Sequence, residues 1–485
     1  MAGHLVRHAV IALLWVVIAV STVTAEPAAP AVRALRHEID TYLKSAALSQ
    51  SHIGIKITSL KTGEIIYAAF DKHLFHPAST LKLFTTSAAL SKLGGGFRFK
   101  TVLYADSPDI RDGTLQGNLY LKGFADPRLT TESLSWMAVQ LRARGLRRIT
   151  GDLVCDETYL DNWYYGKGWM WDDASSSHFA PIGGLTANNN CVTVRVSPGS
   201  GAGEPLAVTI EPQTSYVTIN NTAVTDEAHQ LHVERRWRER ENVINVTGGM
   251  AVGQPEQTFV IEITEPAHYT CRLFSEILAA NNIGIAEGLH YAAVAEERTE
   301  LLRYTSAPLS EIIKETNKKS INLYAELLMK TLGAELQSPP GAATKGIGEI
   351  KEFLSGIGID SAALEIADGS GVSDYNLISP GHLVALLMAI YRAPDLRETF
   401  IDSLSVAGVD GTLKNRMRHT AAEGRLKAKS GSHTGVRTIA GYTTTPDGEA
   451  VAFAIMIENF VVDPVAINDI EDRILVLVSS FSRGR

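Results

Sequence analysis

The order of hydrophobic and polar residues predicts regular structure at the start of the chain. An apolar repeat of three and four residues predicts an amphipathic helix over 31–45. Alternating apolar and polar residues predict strands over 52–59 and 65–70, joined by a turn. A further apolar run leads from Leu81 to a glycine triplet at 94–96, and it predicts a helix that packs into a core.

The end of the chain has a similar pattern. A long helical repeat is followed by a set of strands and a last amphipathic helix. The predicted late elements are a helix over 309–332, strands over 426–429, 438–443 and 450–457, and a helix over 467–481. The early and late strands fit one sheet made from both ends of the chain. The predicted fold class is therefore α+β, with helices packed on that sheet.

Between these ends the pattern changes to short strands and turns. Helical repeats interrupt it only over 131–145 and near 271–281. The change predicts a β-rich insertion over 100–299 within a discontinuous domain formed by 26–99 and 300–485.

Composition narrows the class of protein. The chain has 485 residues, 45% of them hydrophobic and 20% charged, with a net charge of −8. These values argue against a disordered chain and a multi-pass membrane protein. Because basic residues form no large patch, nucleic acid is not an expected partner.

The N-terminus has the pattern of an export signal. Arg7 and His8 precede an apolar stretch over 9–20, and small residues lead to a cleavage site after Ala25. The stretch is shorter than the roughly 20 residues that span a bilayer. We therefore expect a signal peptide over 1–25 that is cleaved, no stable membrane span in the mature chain, and a periplasmic protein. A retained anchor and release outside the cell are the alternatives.

Three cysteines, Cys155, Cys191 and Cys271, leave at least one thiol unpaired within the chain. A Cys155–Cys191 disulfide and buried free thiols are both compatible with this count. No His or Cys spacing indicates a metal site, and no cofactor is expected.

Candidate chemistry begins at Ser79 and Lys82. Their Ser-x-x-Lys spacing, just after Pro77, places both side chains on one face of a helix, about 5–6 Å apart at Cβ. A lysine at that distance can take the proton of the serine hydroxyl. Ser79 is therefore the predicted nucleophile and Lys82 its predicted base.

Two later motifs can complete this site. Ser320 and Asn322 form a Ser-x-Asn, and Lys429, Ser430 and Gly431 form a Lys-Ser-Gly at the end of a predicted strand, followed by Ser432. A Lys-Thr-Gly over 61–63 precedes the nucleophile, but it is better explained as a hairpin turn.

In this order the three motifs resemble those of the penicillin-binding proteins and serine β-lactamases. More than two hundred residues separate Lys82 from Ser320. That spacing is similar to the low-molecular-mass class C penicillin-binding proteins of the DacB type, which are D-alanyl-D-alanine carboxypeptidases and endopeptidases. The resemblance implies a transpeptidase-like domain, with an antiparallel sheet flanked by helices. It also implies two β-rich domains in the insertion, drawn at about 100–112 with 186–299, and 113–185.

The resemblance implies a role for each motif residue. Ser79 would be acylated and Lys82 would act as its base, while a further set would complete the proton and substrate network: Ser320, Asn322 and Lys429. Another set would contact the substrate: Ser430, Gly431 and Ser432. Ser430 stands where the family usually has threonine, so we expect altered affinity and retained activity.

An aromatic segment in the insertion supplies candidates for a peptide-stem subsite: Trp169, Trp171, Asp172 and Asp173. We assign Trp169 and Asp172 to substrate binding, and the alternative is that the tryptophans fill the core of the insertion. An aspartate here could face the ammonium of a diamino acid.

The implied function is cleavage of D-Ala-D-Ala or D-Ala–diamino-acid bonds in peptidoglycan stem peptides. β-Lactam antibiotics would be covalent inhibitors. A β-lactamase or esterase on the same fold is one alternative, and a catalytically silent wall-binding module is another. The long insertion opposes the first, and the complete set of motif residues opposes the second.

Overall fold

A computed structural model of the protein describes residues 30–226 and 230–484. The predicted signal peptide at 1–25 lies outside the described residues. The described α-helices are α1 (Pro30–Leu43), α2 (Lys82–Leu93), α3 (Thr131–Ala143), α4 (Pro266–Ala280), α5 (Leu309–Lys319), α6 (Asn322–Leu336), α7 (Ala343–Gly356), α8 (Pro380–Arg392), α9 (Pro394–Asp402) and α10 (Pro464–Ser480). No helix among these residues is both long enough and apolar enough to cross a membrane.

The strands fall into two groups, one from the ends of the chain and one from its middle. The strands of the ends are β1 (His52–Ser59), β2 (Ile65–Ala69), β20 (Ser405–Val406), β21 (Lys427–His433), β22 (Val436–Thr444) and β23 (Ala450–Glu458). Those of the middle are β3 (Arg98–Ala105), β4 (Ile110–Arg111), β5 (Thr114–Leu115), β6 (Leu119–Gly123), β7 (Arg148–Ile149), β8 (Leu153–Asp156), β9 (Cys191–Ser197), β10 (Ala207–Glu211), β11 (Thr218–Asn221), β12 (Val224–Thr225), β13 (His232–Arg235), β14 (Val243–Thr247), β15 (Gly249–Met250), β16 (Gln257–Glu262), β17 (Gly284–Ile285), β18 (Leu289–Tyr291) and β19 (Thr299–Pro308).

The two chain ends form a six-stranded antiparallel sheet in the order β2-β1-β23-β22-β21-β20. Alternate residues of β23 face opposite sides of this sheet. Ala452, Ala454 and Met456 pack with α2, α6 and α8, whereas Phe453 and Ile455 pack with α1 and α10. The sheet is therefore buried on both faces, and helices cover each face.

The insertion is built on a five-stranded sheet in the order β18-β8-β6-β3-β19. In this sheet β3 pairs with β6 and with β19, so the sheet joins segments before and after residue 112. The predicted division at 112 and 186 would cut the sheet. The hydrogen bonds instead place β3, β6, β8, β18 and β19 in one sheet. Strand β19 returns antiparallel to β3 and closes the insertion on itself. The strands over 191–262 form separate smaller sheets.

The cysteines pair differently from the sequence-based alternatives. A disulfide joins Cys155 of β8 to Cys271 of α4, with 6.0 Å between their Cα atoms. Cys191 is buried and free. The possible Cys155–Cys191 disulfide is therefore wrong, and Cys191 is a buried free thiol, as the other alternative allowed. The pairing depends on the packing of α4 beside β8, which cysteine spacing alone does not reveal.

Candidate active site

The nucleophile lies in a tight turn at the start of α2. Ser79 occupies a 3-10 turn over Ala78–Leu81, one turn before the α-helix begins at Lys82. Ala78 has a φ of 45°, in the left-handed region that non-glycine residues rarely adopt. The opposing loop touches this turn: a Cβ at Gly371 would lie 1.8 Å from the carbonyl oxygen of Ala78. The turn is thus held firmly, and it presents Ser79 to a cleft.

Lys82 is fully buried behind the nucleophile. Its Nζ lies 2.8 Å from Ser79 Oγ, 2.7 Å from Asn322 Oδ1 and 2.6 Å from the carbonyl oxygen of Ser370. Burial lowers the pKa of Lys82 to about 7, and the charges of Asp368 and Glu326 oppose that shift. A substantial fraction of Lys82 is therefore neutral near pH 7 and able to accept the proton of Ser79.

Ser320 lies at a break between two helices. The sequence predicted one helix over 309–332, but Ser320 adopts the left-handed conformation (φ 59°), which ends α5, and α6 begins two residues later. The break turns Ser320 toward Lys429, whose Nζ lies 2.9 Å from Ser320 Oγ. Asn322 at the start of α6 also donates from Nδ2 to the carbonyl oxygen of His178, at 2.9 Å. The break therefore gives the two motif residues separate partners.

Lys429 is a second buried lysine in the site. Burial lowers its pKa well below the ordinary value, and the nearby Lys82 lowers it further. Burial is likewise the main cause of the lowered pKa of Lys82.

Strand β21 forms one wall of the catalytic cleft. The Cβ position at Gly431 lies 2.8 Å from the backbone nitrogen of Ser79, so only glycine permits this approach. Ser430 Oγ donates to Thr412 Oγ1 at 2.7 Å. The cleft has a volume of about 470 Å³ and is lined by five of the predicted residues: Ser79, Ser320, Asn322, Ser430 and Ser432.

The structure separates the two predicted stem-subsite residues from this cleft. Asp172 is exposed, and neither Asp172 nor Trp169 lines the cleft. Trp169 Nε1 donates to Asp368 Oδ2 at 2.9 Å, and its ring packs against Phe179 with 5.0 Å between centroids. Asp173 and Phe179, from the same segment, do line the cleft. Trp169 thus packs behind Phe179, which lines the cleft, and does not line the cleft itself.

Sequence reasoning missed the carboxylate that positions the loop opposite Lys82. Glu326 is fully buried, and its Oε1 accepts from the backbone nitrogens of Gly369 (3.0 Å) and Ser370 (2.8 Å). Burial raises the pKa of Glu326 to about 8, with a further contribution from Asp368. Its position one helical turn after Asn322 is a signal in the sequence, because residues four apart share a helix face.

Ser79 lies beside the buried Lys82, in a cleft that the hydroxyls of Ser320, Ser430 and Ser432 also line. This arrangement is typical of serine acyl-transfer enzymes of the penicillin-binding type. Among the described residues, no three His, Cys, Asp or Glu side chains are grouped to hold a metal ion. The sequence profile of the D-Ala-D-Ala carboxypeptidase 3 (S13) family matches residues 35–480, and the chain belongs to this family. It is a serine-type D-alanyl-D-alanine carboxypeptidase.

Individual relatives agree with this assignment. The chain is 36% identical over 441 residues to a D-alanyl-D-alanine carboxypeptidase of Actinomadura sp. (strain R39), covering 87% of this chain and 80% of that protein. It is 27% identical to the carboxypeptidase DacB of Haemophilus influenzae, covering 84% and 86%. The crystal structure of penicillin-binding protein 4 (DacB) from Haemophilus influenzae superposes with a TM-score of 0.82 at 25% identity, covering 91% of this chain and 99% of that one. The predicted fold class is confirmed.

Proposed function

We propose that Ser79 is the residue that this DD-peptidase acylates, with Lys82 as its base. The observation that carries the proposal is the 2.8 Å contact between Lys82 Nζ and Ser79 Oγ, combined with the pKa of about 7 for Lys82. In the reaction, Ser79 Oγ attacks the carbonyl carbon of the penultimate D-alanine while its proton passes to Lys82. The backbone N–H groups of Ser79 and Ser432 are the proposed donors to the oxyanion.

Collapse of the tetrahedral intermediate breaks the scissile amide bond. The leaving nitrogen needs a proton, and Ser320 is the proposed relay. Its Oγ contacts Lys429 Nζ, while Lys82, which has taken the proton of Ser79, lies beside Ser79. The products of this half-reaction are an ester on Ser79 and a free amine. Water then hydrolyses the ester, and Ser79 recovers its hydroxyl proton.

The proposed substrate carries a free carboxylate next to the scissile bond. Lys429 and Ser430 are the proposed carboxylate donors. The hydroxyl of Ser430 donates to Thr412 Oγ1 in the free protein, and on binding it would turn to donate to the carboxylate instead. A bound carboxylate favours the charged form of Lys429, which burial otherwise disfavours.

On the acyl side, Asp173 replaces Asp172 as our candidate for contacting a stem-peptide ammonium, because Asp173 lines the cleft.

The proposed site of action is peptidoglycan in the periplasm. Support comes from the export pattern at 1–25 and from relatives named as D-alanyl-D-alanine carboxypeptidases. A Haemophilus influenzae relative has been crystallised in complex with a β-lactam. We therefore propose that β-lactams acylate Ser79 here as well.

Labelling with a fluorescent penicillin tests this proposal. The wild-type protein should form a stable adduct, Ser79→Ala should form none, and Ser91→Ala, an exposed position on the same helix, should label normally. An adduct that persists in Ser79→Ala would show that the nucleophile is misassigned. Rapid turnover of the penicillin would favour a β-lactamase, and absence of any adduct would favour a silent binding module.

A further inference from the structure

A hydrogen bond links the insertion to the loop that contacts the catalytic lysine. Trp169 lies in the insertion and does not line the cleft, and its Nε1 donates to Asp368 Oδ2 at 2.9 Å. Asp368 begins a loop over 368–376, in which the backbone carbonyl of Ser370 accepts from Lys82 Nζ at 2.6 Å. The indole of Trp169 is therefore connected to Lys82 through this loop.

The carboxylate of Asp368 organises the loop. Its side chain is fully buried, and it accepts from the backbone nitrogens of Gly371 and Ser373 and from Asn376 Nδ2, at 2.8–2.9 Å. These three donors belong to the loop itself, whereas Trp169 comes from the insertion, far earlier in the chain. The contact with Trp169 therefore sets the position of the loop relative to the insertion.

The segment around Trp169 is shaped to bring its indole N–H group to the loop. A Cβ at Gly166 would lie 2.3 Å from Trp169 Nε1, so a side chain there would displace the indole. Gly168 has a φ of 78°, and a Cβ there would lie 2.6 Å from Ser373 Oγ. The indole also packs against Phe179, with 5.0 Å between ring centroids. These contacts hold the N–H group in place.

The loop in turn contacts both residues that react. The carbonyl of Ser370 accepts from Lys82, and a Cβ at Gly371 would lie 1.8 Å from the carbonyl oxygen of Ala78, in the turn that holds Ser79. A displacement of the loop therefore changes the positions of the base and of the nucleophile.

We propose that Trp169 is a positioning residue for acylation, which acts on Lys82 and Ser79 through Asp368 and its loop. The inference rests on the proposed function, in which Ser79 is acylated and Lys82 is its base. Attack needs the reacting atoms about 3–3.5 Å apart and aligned, so a small displacement slows the reaction with every acyl donor. The insertion thus contributes to the chemical step, beyond the substrate contact that the sequence pattern predicts for Trp169.

Two substitutions at Trp169 test this role. Trp169→Phe keeps an aromatic ring and removes the N–H group, whereas Trp169→His has a smaller ring that retains an N–H donor. Trp163→Phe, at an exposed position of the same segment, is the matched control. The acyl donors are benzylpenicillin, which contains no diamino acid, and a monomeric stem peptide ending in D-Ala-D-Ala. The rate constant for acylation is measured from pH 5 to 9.

We expect Trp169→Phe to lower the plateau rate constant about tenfold or more for both acyl donors, the effect of losing a hydrogen bond to a charged group. Trp169→His should recover much of this loss, and Trp163→Phe should match the wild-type protein. Loss of packing alone would give the opposite order, because phenylalanine fills more of the indole's space than histidine does.

The pH profile separates positioning from stability. The charged groups around Lys82 come from the loop, from α6 and from β21: Asp368, Glu326 and Lys429. The charge of Asp368 and the carbonyl of Ser370 both favour the charged form of Lys82, and a looser loop weakens both effects. The pKa of Lys82 should therefore fall in Trp169→Phe, which moves the midpoint of the profile to lower pH by about half a unit or more. A smaller amount of folded protein would leave the midpoint unchanged.

The inference is overturned if folded Trp169→Phe keeps the wild-type rate constant and midpoint. It is also overturned if the loss is confined to the stem peptide, because Trp169 would then contact the substrate. If Trp169→Phe does not fold, 3-benzothienylalanine at this position removes the same N–H group at nearly constant volume, and the same outcomes apply. Failure of the proposed function gives a different result, because penicillin would then leave Ser79 unlabelled in the wild-type protein.

Discussion

The Cβ position at Gly431 lies 2.8 Å from the backbone nitrogen of Ser79 and 3.0 Å from the carbonyl oxygen of Pro77. Real Cβ atoms do not approach backbone atoms this closely, so a side chain at 431 must displace the turn that holds the nucleophile. We therefore expect Gly431→Ala to lower the rate of penicillin acylation by about 100-fold or more, the effect of losing one oxyanion donor. Stopped-flow or gel measurement of the acylation rate constant checks this.

Gly96→Ala is a matched control for that variant, because a Cβ at Gly96 meets no atom within 4 Å. It should acylate at the wild-type rate. Normal acylation in Gly431→Ala would contradict the close packing of β21 on the Ser79 turn.

The protonation state of Lys82 predicts how the rate of acylation depends on pH. Only the neutral amine can take the proton of Ser79, and the pKa of Lys82 is about 7. The rate constant for acylation should therefore rise about tenfold per pH unit below 7 and level off above it. Rates measured with a penicillin that is stable from pH 5 to 9 test this prediction. A midpoint near 10, the ordinary lysine value, would show that burial does not set the protonation of Lys82.

Lys429→Ala should separate carboxylate recognition from the acylation step. Hydrogen bonds between charged groups contribute about 1.5–3 kcal/mol, so acylation by a penicillin should fall roughly 10- to 150-fold. A penicillin methyl ester, which lacks the carboxylate charge, should lose much less. Lys427→Ala, on the same strand with a partner at Asp402, is the control and should have little effect. Equal losses for acid and ester would remove Lys429 from carboxylate binding.

Glu326 is predicted to stabilise the protein through the loop that contacts Lys82. Glu326→Leu removes the acceptor of two buried N–H groups, each worth about 1–3 kcal/mol when left unsatisfied. We expect its free energy of unfolding to fall by about 2 kcal/mol or more in denaturant titrations. Glu326→Gln keeps a carbonyl oxygen for both donors and should lose much less. Equal losses in the two variants would mean that the two hydrogen bonds accepted by Oε1 are not what stabilises the loop.

The pKa of Glu326 also predicts that the difference in stability between the wild-type protein and Glu326→Gln depends on pH. The pKa is about 8 in the folded state and 4.5 ordinarily, so the folded protein binds the proton more tightly than the unfolded chain. The stabilising contribution of this proton is complete below about 4.5 and is lost as pH rises toward 8. Relative to Glu326→Gln, the free energy of unfolding of the wild-type protein should therefore fall between about pH 4.5 and pH 8. If the two proteins change in parallel with pH, the prediction is contradicted.

Much of the site follows from the sequence because its residues come in short, chemically specific groups. The spacing of Ser79 and Lys82 fixes their contact within one helical turn. The structure also brings Ser320, Asn322 and Lys429 to that pair, as the motif order predicted.

Other features depend on long-range packing that the local sequence does not encode. The choice of Cys271 as the partner of Cys155 depends on where α4 lies. The conformation of Ser320 interrupts a continuous apolar repeat, so periodicity alone predicts one helix there. Lys82 donates to the backbone carbonyl of Ser370, and a backbone contact does not restrict which residue type stands at that position.

The pairing of β1 with β23 has a consequence for synthesis of the enzyme. His52 pairs with Glu458, so β1 cannot gain this neighbour until almost the whole chain has emerged. The strands of the insertion lie within 98–308 and can assemble earlier. A nascent chain therefore carries Ser79 and Lys82 long before it can react with an antibiotic or a stem peptide. Chains that end before β23 lack the strand that lies between β1 and β22, so we expect them not to assemble the acylation site.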